Sequence, residues 1–476
     1  MRLRVRRTSG GTAPPPRVAY PETEALRERA REALQDDQLR GNLRAAAGSW
    51  AKGQAAVRER YPFAEMRAEA RRIRTEDIRR LPELLDLLEE RVRAAGGTVV
   101  RVADGEAACR YVVELARRRG ARLLAKSKSM ATEEIKLNEA LEEAGLRVVE
   151  TDLGEWILQL RGDHPSHIIA PAVHLNRDQI ADLFRRHSGE EIPNDREALI
   201  AYARRRLRED FAAADIGVSG VNLAVAETGT LCVMENEGNV RLVTALPPVH
   251  VALLGMERVV ADWEEAALFL ELLPMAAIND DAATYVSLIT GTRAPDEAGD
   301  GPTELHLVIL DGGRSALRGT PFEEALHCIR CGACLYSCPM WRSVGGQAYG
   351  SPYSGPIGAV ITPLLEGMRG ERSSELPFFS SLCGACHQAC PVGIPLHDLL
   401  VRARAAVDTP ASRRARLAFR AWSILWRWPP TYRASVALAR IGLAVMGRRG
   451  WVRRLPGPGA AWTDQRDLPS RWPPHP

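Results

Sequence analysis

Apolar positions recur at three- to five-residue intervals from Pro21 to about Thr75 (Leu26, Ala30, Leu34, Leu39) in a background rich in Ala, Arg and Glu, which predicts a helical lead-in over residues 1–75. From there the pattern alternates. Strands are predicted at Thr98–Val102, Arg122–Ala125, Arg147–Glu150, His167–Pro171, Ile216–Val225, Thr230–Met234, Arg241–Ala245, Val249–Leu254 and Leu305–Leu310. Helix-period segments lie between them at Leu81–Ala94, Ala107–Arg118, Thr132–Ala144, Arg177–Phe184 and Glu264–Leu273, which makes residues 76–315 an α/β domain. The strand runs from Ile216 to Ala245 leave no room for helices, so part of the sheet is expected to be antiparallel. After Ser315 the strand signals stop. A small, mostly helical domain is expected over 316–408, then a helical segment over 409–476 that turns Pro/Gly-rich from Leu455.

Composition changes the picture mainly at the end of the chain. With 476 residues, 45% hydrophobic and 26% charged, a disordered or fibrous protein is excluded, and Lys+Arg 64 against Asp+Glu 60 gives no reason to expect a nucleic-acid partner. From Arg402 onward, however, fifteen arginines face three acids, and six of the ten tryptophans (Trp422, Trp426, Trp428, Trp451, Trp462, Trp472) lie past residue 420. Arg and Trp on apolar helix faces suit an anionic membrane surface or an acidic partner subunit; the plainer role is packing on the chain's own preceding domain. The longest largely apolar run, Ala434 to Met446, is thirteen residues and contains Arg440, short of the ~20 that a span needs. The basic N-terminus, with Arg6 and Arg7, lacks the apolar stretch of a secretory or twin-arginine signal. A cytoplasmic protein is expected, held peripherally at the inner face of the membrane if the tail docks there.

Seven of nine cysteines fall within Cys328 to Cys390, and the other two, Cys109 and Cys232, read as core residues. The first run, Cys328-x2-Cys331-x2-Cys334-x3-Cys338-Pro339, has the spacing of dicluster ferredoxins, in which the fourth cysteine serves the other cluster. Three thiolates on one short loop cap three irons of a cubane, Gly332 is expected to keep the loop clear of the inorganic core, and zinc would not call for this spacing. The second run, Cys383-x2-Cys386-x3-Cys390-Pro391, is one ligand short, with Ser380 where a cysteine should stand. With crossover, one 4Fe-4S cluster takes Cys328, Cys331, Cys334 and Cys390, leaving Cys338, Cys383 and Cys386 for the second. That second site is a three-iron (3Fe-4S) cluster, a cubane completed by Ser380 or another non-cysteine ligand, or a cubane with an open iron. Ser380 also reads as a helix cap or turn residue, and His327 and His387, which flank the runs, as hydrogen-bonding neighbours rather than ligands.

Only four of the 64 basic residues are lysine, and three of them, Lys126, Lys128 and Lys136, lie within Ala125–Lys136. A compact ammonium is wanted there. Followed by Ser127, Ser129 and Thr132 at a strand-to-helix junction, the segment is a candidate anion or substrate site, against the alternative of ordinary surface roles. A second polar cluster, Glu227 to Thr230 with Glu235 to Arg241, has turn chemistry that a plain hairpin would explain. Asp152, Glu155, His164, His167, His174 and His250 add titratable groups without metal spacing.

Taken in order, AKSKSMATEEIKLN (125–138), ETDLGEWILQL (150–160), PSHIIAPAVH (165–174), AETGTLCVMENEGNVR (226–241), GPTELHLVILDGGRS (301–315), CIRCGACLYSCP (328–339), YSGPIGAVITP (353–363), SLCGACHQACPVGIPLHDLL (381–400) and PGPGAAWTDQRDLP (456–469) resemble the lactate utilisation protein B family. The resemblance implies a NagB/RpiA/CoA-transferase-like α/β domain of LUD type, an α-helical 4Fe-4S dicluster ferredoxin domain and a basic tail. It implies the cluster ligands just named, the three-cysteine second run included. It also implies an iron-sulfur electron-transfer subunit in L-lactate oxidation, working with a cysteine-rich iron-sulfur protein and a small LUD-domain protein. No G-x-G-x-x-G follows a strand, so hydride transfer by this chain alone is not expected, and the sequence assigns no catalytic residue. Two other readings stand beside it. The same relay could serve glycolate or another 2-hydroxy acid, or the α/β domain could act alone on a phosphorylated or CoA-like anion as enzyme or sensor, the clusters being structural or regulatory.

Overall fold

The computed structural model describes residues 26–470 except 295–298, 300, 369–372, 409 and 464–465, and gives no side-chain account at 410–412, 415, 458, 461 and 462. Arg6, Arg7 and Trp472, and the side chain of Trp462, therefore lie outside the described residues. The chain forms two compact units that divide between Val407 and Asp408.

Ten strands build the first unit: β1 (Thr98–Val102), β2 (Leu123–Lys126), β3 (Arg147–Glu150), β4 (Ile216–Gly220), β5 (Leu223–Val225), β6 (Thr230–Glu235), β7 (Val249–Gly255), β8 (Val259–Val260), β9 (Tyr285–Ile289) and β10 (Glu304–Leu310). Six of them form a wholly parallel sheet in the order β1-β10-β7-β4-β2-β3. Antiparallel pairing is present, but in a second sheet, β8-β5-β6-β9, whose strands enter the chain between β4 and β10. Side chains alternate across β10 as a two-residue period demands: Leu305, Leu307 and Ile309 join one core and Val308 and Leu310 another.

Two predicted strands are absent. Residues 167–171 form bends, because the His167 ring accepts the backbone N–H groups of Ile169 (3.1 Å) and Ala170 (3.2 Å), which a ladder would have needed. Arg241–Ala245 lies in a helix, Asn239–Ala245, whose start is fixed by the Glu235 carboxylate accepting from the N–H of Val240 and Arg241. The Thr132–Ala144 helix is broken into Met130–Glu134 and Leu137–Glu143 by Lys136, which is left-handed at φ 55.

The lead-in is three helices, Leu26–Gln35, Asp37–Arg60 and Phe63–Arg79, and the second of these is capped by Asp36. Their buried residues share one apolar cluster with the second sheet and with the cysteine-rich region, from Leu26 through Leu400. Arg74 is buried at the junction, its guanidinium donating to the carbonyls of Val259, Glu257 and Leu326. One side chain thus ties the helices to both the α/β core and the segment entering the first cysteine run.

The second unit contains helices Pro410–Trp426 and Pro429–Met446 and a two-stranded ribbon of Trp451–Val452 with Leu468–Pro469. Among its described residues Leu417, Phe419, Trp422, Ile424, Trp428 and Ile441 are exposed.

A candidate iron-sulfur centre beside a charged cavity

The two cysteine runs fold alike. In each, a left-handed glycine (Gly332 at φ 75, Gly384 at φ 79) opens a five-residue helix, Ala333–Ser337 or Ala385–Ala389, carrying the third or second cysteine of its run. Gly332 has a further reason to be glycine: a Cβ there would sit 2.7 Å from Cε1 of His167. A side chain there would therefore strike the α/β domain, and His167 stacks on Tyr336 at 4.1 Å between ring centroids.

All seven thiols are free, and all but Cys383 are buried. Cys331 lies within electrostatic reach of Cys390 and Cys328, and Cys334 of the same three. Cys338 faces Cys383, and Cys386 faces both of them. Cys334 also feels Cys386, so the two sets adjoin. Burial pushes the Cys386 thiol up to about 12 and that of Cys390 up to about 11. Neutral thiols crowded together in an apolar interior fit a metal centre, where metal replaces their protons. Backbone N–H groups already aim at the sulfurs, Arg330 at Cys328 and Ile394 at Cys390, each at 3.4 Å.

The neighbours take definite parts. Ser380 Oγ accepts from the N–H of Leu382 at 3.2 Å, the bond of a turn residue. His387 is held by its Nδ1 at the carbonyl of Ile394 (2.9 Å), with Arg67 beside Nε2. His327 is buried next to Arg74 and Arg71, and burial with those charges pushes it down to about 3. Tyr349, which the sequence did not single out, is buried with its hydroxyl against the Cys338 thiol and its ring edge-on to Phe379.

The three lysines do not converge. Lys126, at the end of β2, is fully buried, 2.9 Å from Glu150 and 3.5 Å from Glu133, and donates to Thr132 Oγ1 at 3.0 Å. A compact ammonium is required because it sits inside a cage of carboxylates, among which Glu133, Glu150 and Glu155 offer oxygens within 4.8 Å of one another. Lys128 donates to the carbonyl of Ile169 and lines a cavity. Lys136 is exposed. Of the histidines, His174 meets Asp163 at 3.2 Å and Gln347 at 3.2 Å, and His250 meets Ser219 at 2.8 Å.

The cavity, about 260 Å³, opens beyond the carboxyl ends of β2, β4 and β7, where parallel sheets commonly place ligands. Its far wall is the first cysteine loop: Arg330, between Cys328 and Cys331, lines it with Tyr353, over whose ring the guanidinium lies at 4.4 Å. Arg258 reaches the same loop, donating to the carbonyls of Cys328 (3.2 Å) and Ile329 (3.0 Å). Glu257 takes Arg314 at 2.7 Å and Arg330 at 3.3 Å; burial opposes its ionisation, but the arginines prevail and hold it down at about 2. On the other side are Lys128, Asp152, Glu235 and the exposed Glu237, whose carboxyl is pushed up by partial desolvation and by Asp152 beside it. Sequence reasoning missed the arginines because in a chain with sixty of them no single one stands out.

Comparison with known proteins agrees with this anatomy. Residues 85–310 match the LUD domain and 324–394 the 4Fe-4S dicluster domain. Lactate utilization protein B of Oceanobacillus iheyensis is 42% identical over 94% of both chains, and that of Shouchella clausii is 44% identical over 93% of this chain and 94% of its own. The chain belongs to the lactate utilization protein B family. Family membership makes the cysteine-rich region an iron-sulfur domain following a LUD-type α/β domain. A crystal structure of a DUF162 family protein from Deinococcus radiodurans, 13% identical, overlays with a TM-score of 0.27 across 48% of this chain and 98% of its own.

Proposed function

We propose that the protein is the iron-sulfur electron-transfer component of a system oxidising L-lactate to pyruvate, relaying single electrons towards a respiratory acceptor. The carrying observation is the gathering of seven thiols into two adjoining sets. In this reading Cys328, Cys331, Cys334 and Cys390 hold one 4Fe-4S cluster. Cys338, Cys383 and Cys386 hold a second, either a three-iron cluster or one completed by a non-cysteine ligand. Such clusters accept and release one electron at a time. The chain itself contributes enclosure, backbone N–H donors at Cys328 and Cys390, and an exposed edge at Cys383 where a redox partner can approach. The cysteine-rich iron-sulfur protein and the small LUD-domain protein of the system are the partners proposed.

Anaerobic purification with iron and sulfide determination, and electron paramagnetic resonance before and after reduction, tests the reading. The expected result is about eight irons per chain, or about seven with a three-iron signal in the oxidised state. Negligible iron, or stoichiometric zinc, would overturn it.

The second unit supports peripheral docking on an anionic membrane. Its two helices expose Leu417, Phe419, Trp422, Ile424, Trp428 and Ile441 in a region with thirteen arginines after Asp408. Co-sedimentation with anionic vesicles is expected for the full chain, weakened by salt and abolished by ending the chain at residue 408. Retention of binding by the truncated chain would remove the proposal.

A further inference from the structure

The cavity beside the first cysteine loop is bipolar, and its cationic end is incompletely neutralised. Arg258, Arg314 and Arg330 line that end. The carboxylates among them are Glu257, paired with Arg314 and Arg330, and Glu134, which accepts both ends of the Arg314 fork (2.9 and 2.7 Å) and the Tyr353 hydroxyl (2.6 Å). Among these side chains three cations face two anions, and the Cys328 sulfur lies within electrostatic reach of both Arg258 and Arg330. Arg258 uses two of its donors on neutral carbonyls. Arg330 is 7% exposed, and its Nη1 is buried with no hydrogen-bond partner among the described residues. A buried guanidinium donor without a partner calls for an acceptor, and a carboxylate oxygen is the one it binds most strongly. The opposite wall supplies acceptors instead: the carboxyls of Asp152, Glu235 and Glu237, with Lys128 among them. Glu235 is engaged by the N–H groups of Val240 and Arg241, Glu237 by that of Leu153 and Asp152 by that of Glu155, which leaves the remaining lone pairs of the three for a ligand.

We propose that this cavity binds a small organic acid bearing a hydroxyl group, its carboxylate on Arg330 and its hydroxyl towards Asp152 and Glu237. The inference rests on the relay reading for its purpose, since a ligand there lies against the loop that carries Cys328 and Cys331, but the binding itself does not depend on electron transfer.

The test is calorimetric titration of the full chain, purified without oxygen and with its iron measured, using L-lactate, pyruvate, L-alanine and inorganic phosphate at constant ionic strength. Saturable binding of L-lactate is expected, tighter than that of pyruvate, which lacks the hydroxyl donor. Arg330→Gln should weaken it by about tenfold or more at unchanged iron content. Should that variant lose iron, Ala131→Leu fills the cavity from the α/β side, remote from the cysteines, and must weaken binding too. Absence of carboxylate binding by the wild-type chain overturns the proposal, as does tighter binding of phosphate or alanine. So does an Arg330→Gln chain with unchanged affinity and an altered cluster spectrum, which would assign the surplus charge to the cluster. An iron-poor chain that still binds lactate would sink the relay and leave the cavity standing; an iron-loaded, reducible chain that binds no acid would do the reverse.

Discussion

Replacing Lys126 by Met removes an ammonium enclosed between Glu150 at 2.9 Å and Glu133 at 3.5 Å, side chains that are 0%, 0% and 5% exposed. With an effective dielectric of ~20, unit charges at these separations attract by about 6 and about 5 kcal/mol. Most of that attraction only offsets the removal of three ions from water. Truncating one partner of such a buried set, which strands the other, lowers stability by about 3–5 kcal/mol. For an α/β domain of this size the melting temperature should fall by on the order of 6 to 15 °C. Thermal unfolding of the full chain, followed by far-ultraviolet circular dichroism, measures it. The Lys126→Met/Glu150→Gln double variant should lose less than the single one, because it leaves one fewer stranded carboxylate. A Lys126→Met chain melting within about 2 °C of the wild type would refute the reasoning, since the cage would then be neutral without its lysine.

Lys136→Gly is expected to act oppositely: it is exposed and left-handed, so glycine should stabilise by about 1 kcal/mol, and a lower melting temperature would contradict this. The two cluster-loop glycines make a controlled pair. Gly332→Ala meets His167 at 2.7 Å as well as an unfavourable φ and should lose about 2–4 kcal/mol with most of its iron, whereas Gly384→Ala, with nothing within 4 Å, should lose about 1 kcal/mol; equal iron retention would contradict the contact argument. Tyr349→Phe removes the hydroxyl facing Cys338 and should lower the reduction potential of the second cluster while leaving the first unchanged. A redox titration followed by electron paramagnetic resonance that found both potentials unmoved would reduce Tyr349 to a packing residue.

Periodicity located most of the parallel sheet because its strands are continuous apolar runs between clear helices, as at Val249 and Leu305. It failed where side chains intercept the backbone: His167 takes the donors a strand would use, and Glu235 begins a helix inside a β-branched stretch. The cysteine spacing was legible because cluster chemistry is local in sequence. The cavity was not, since Arg258, Arg314 and Arg330 come from three separated segments and meet through Glu257, the loop carbonyls and the Glu134–Tyr353 pair. The lysine bias drew together residues with three different surroundings: Lys126 sits in a carboxylate cage, Lys128 lines the cavity and Lys136 is exposed.

The apolar cluster that runs without a break from Leu26 to Leu400 has an engineering meaning. Ferredoxin-like segments are often pictured as cassettes, cut at a linker and spliced elsewhere. Here a breakpoint between the α/β and cysteine-rich stretches would strip Arg74 of its acceptor at Leu326 and lay open the packing of Trp50 on Tyr336. An electron-transfer module transplanted from this chain would therefore need its lead-in helices and the sheet packed against them to keep its core closed.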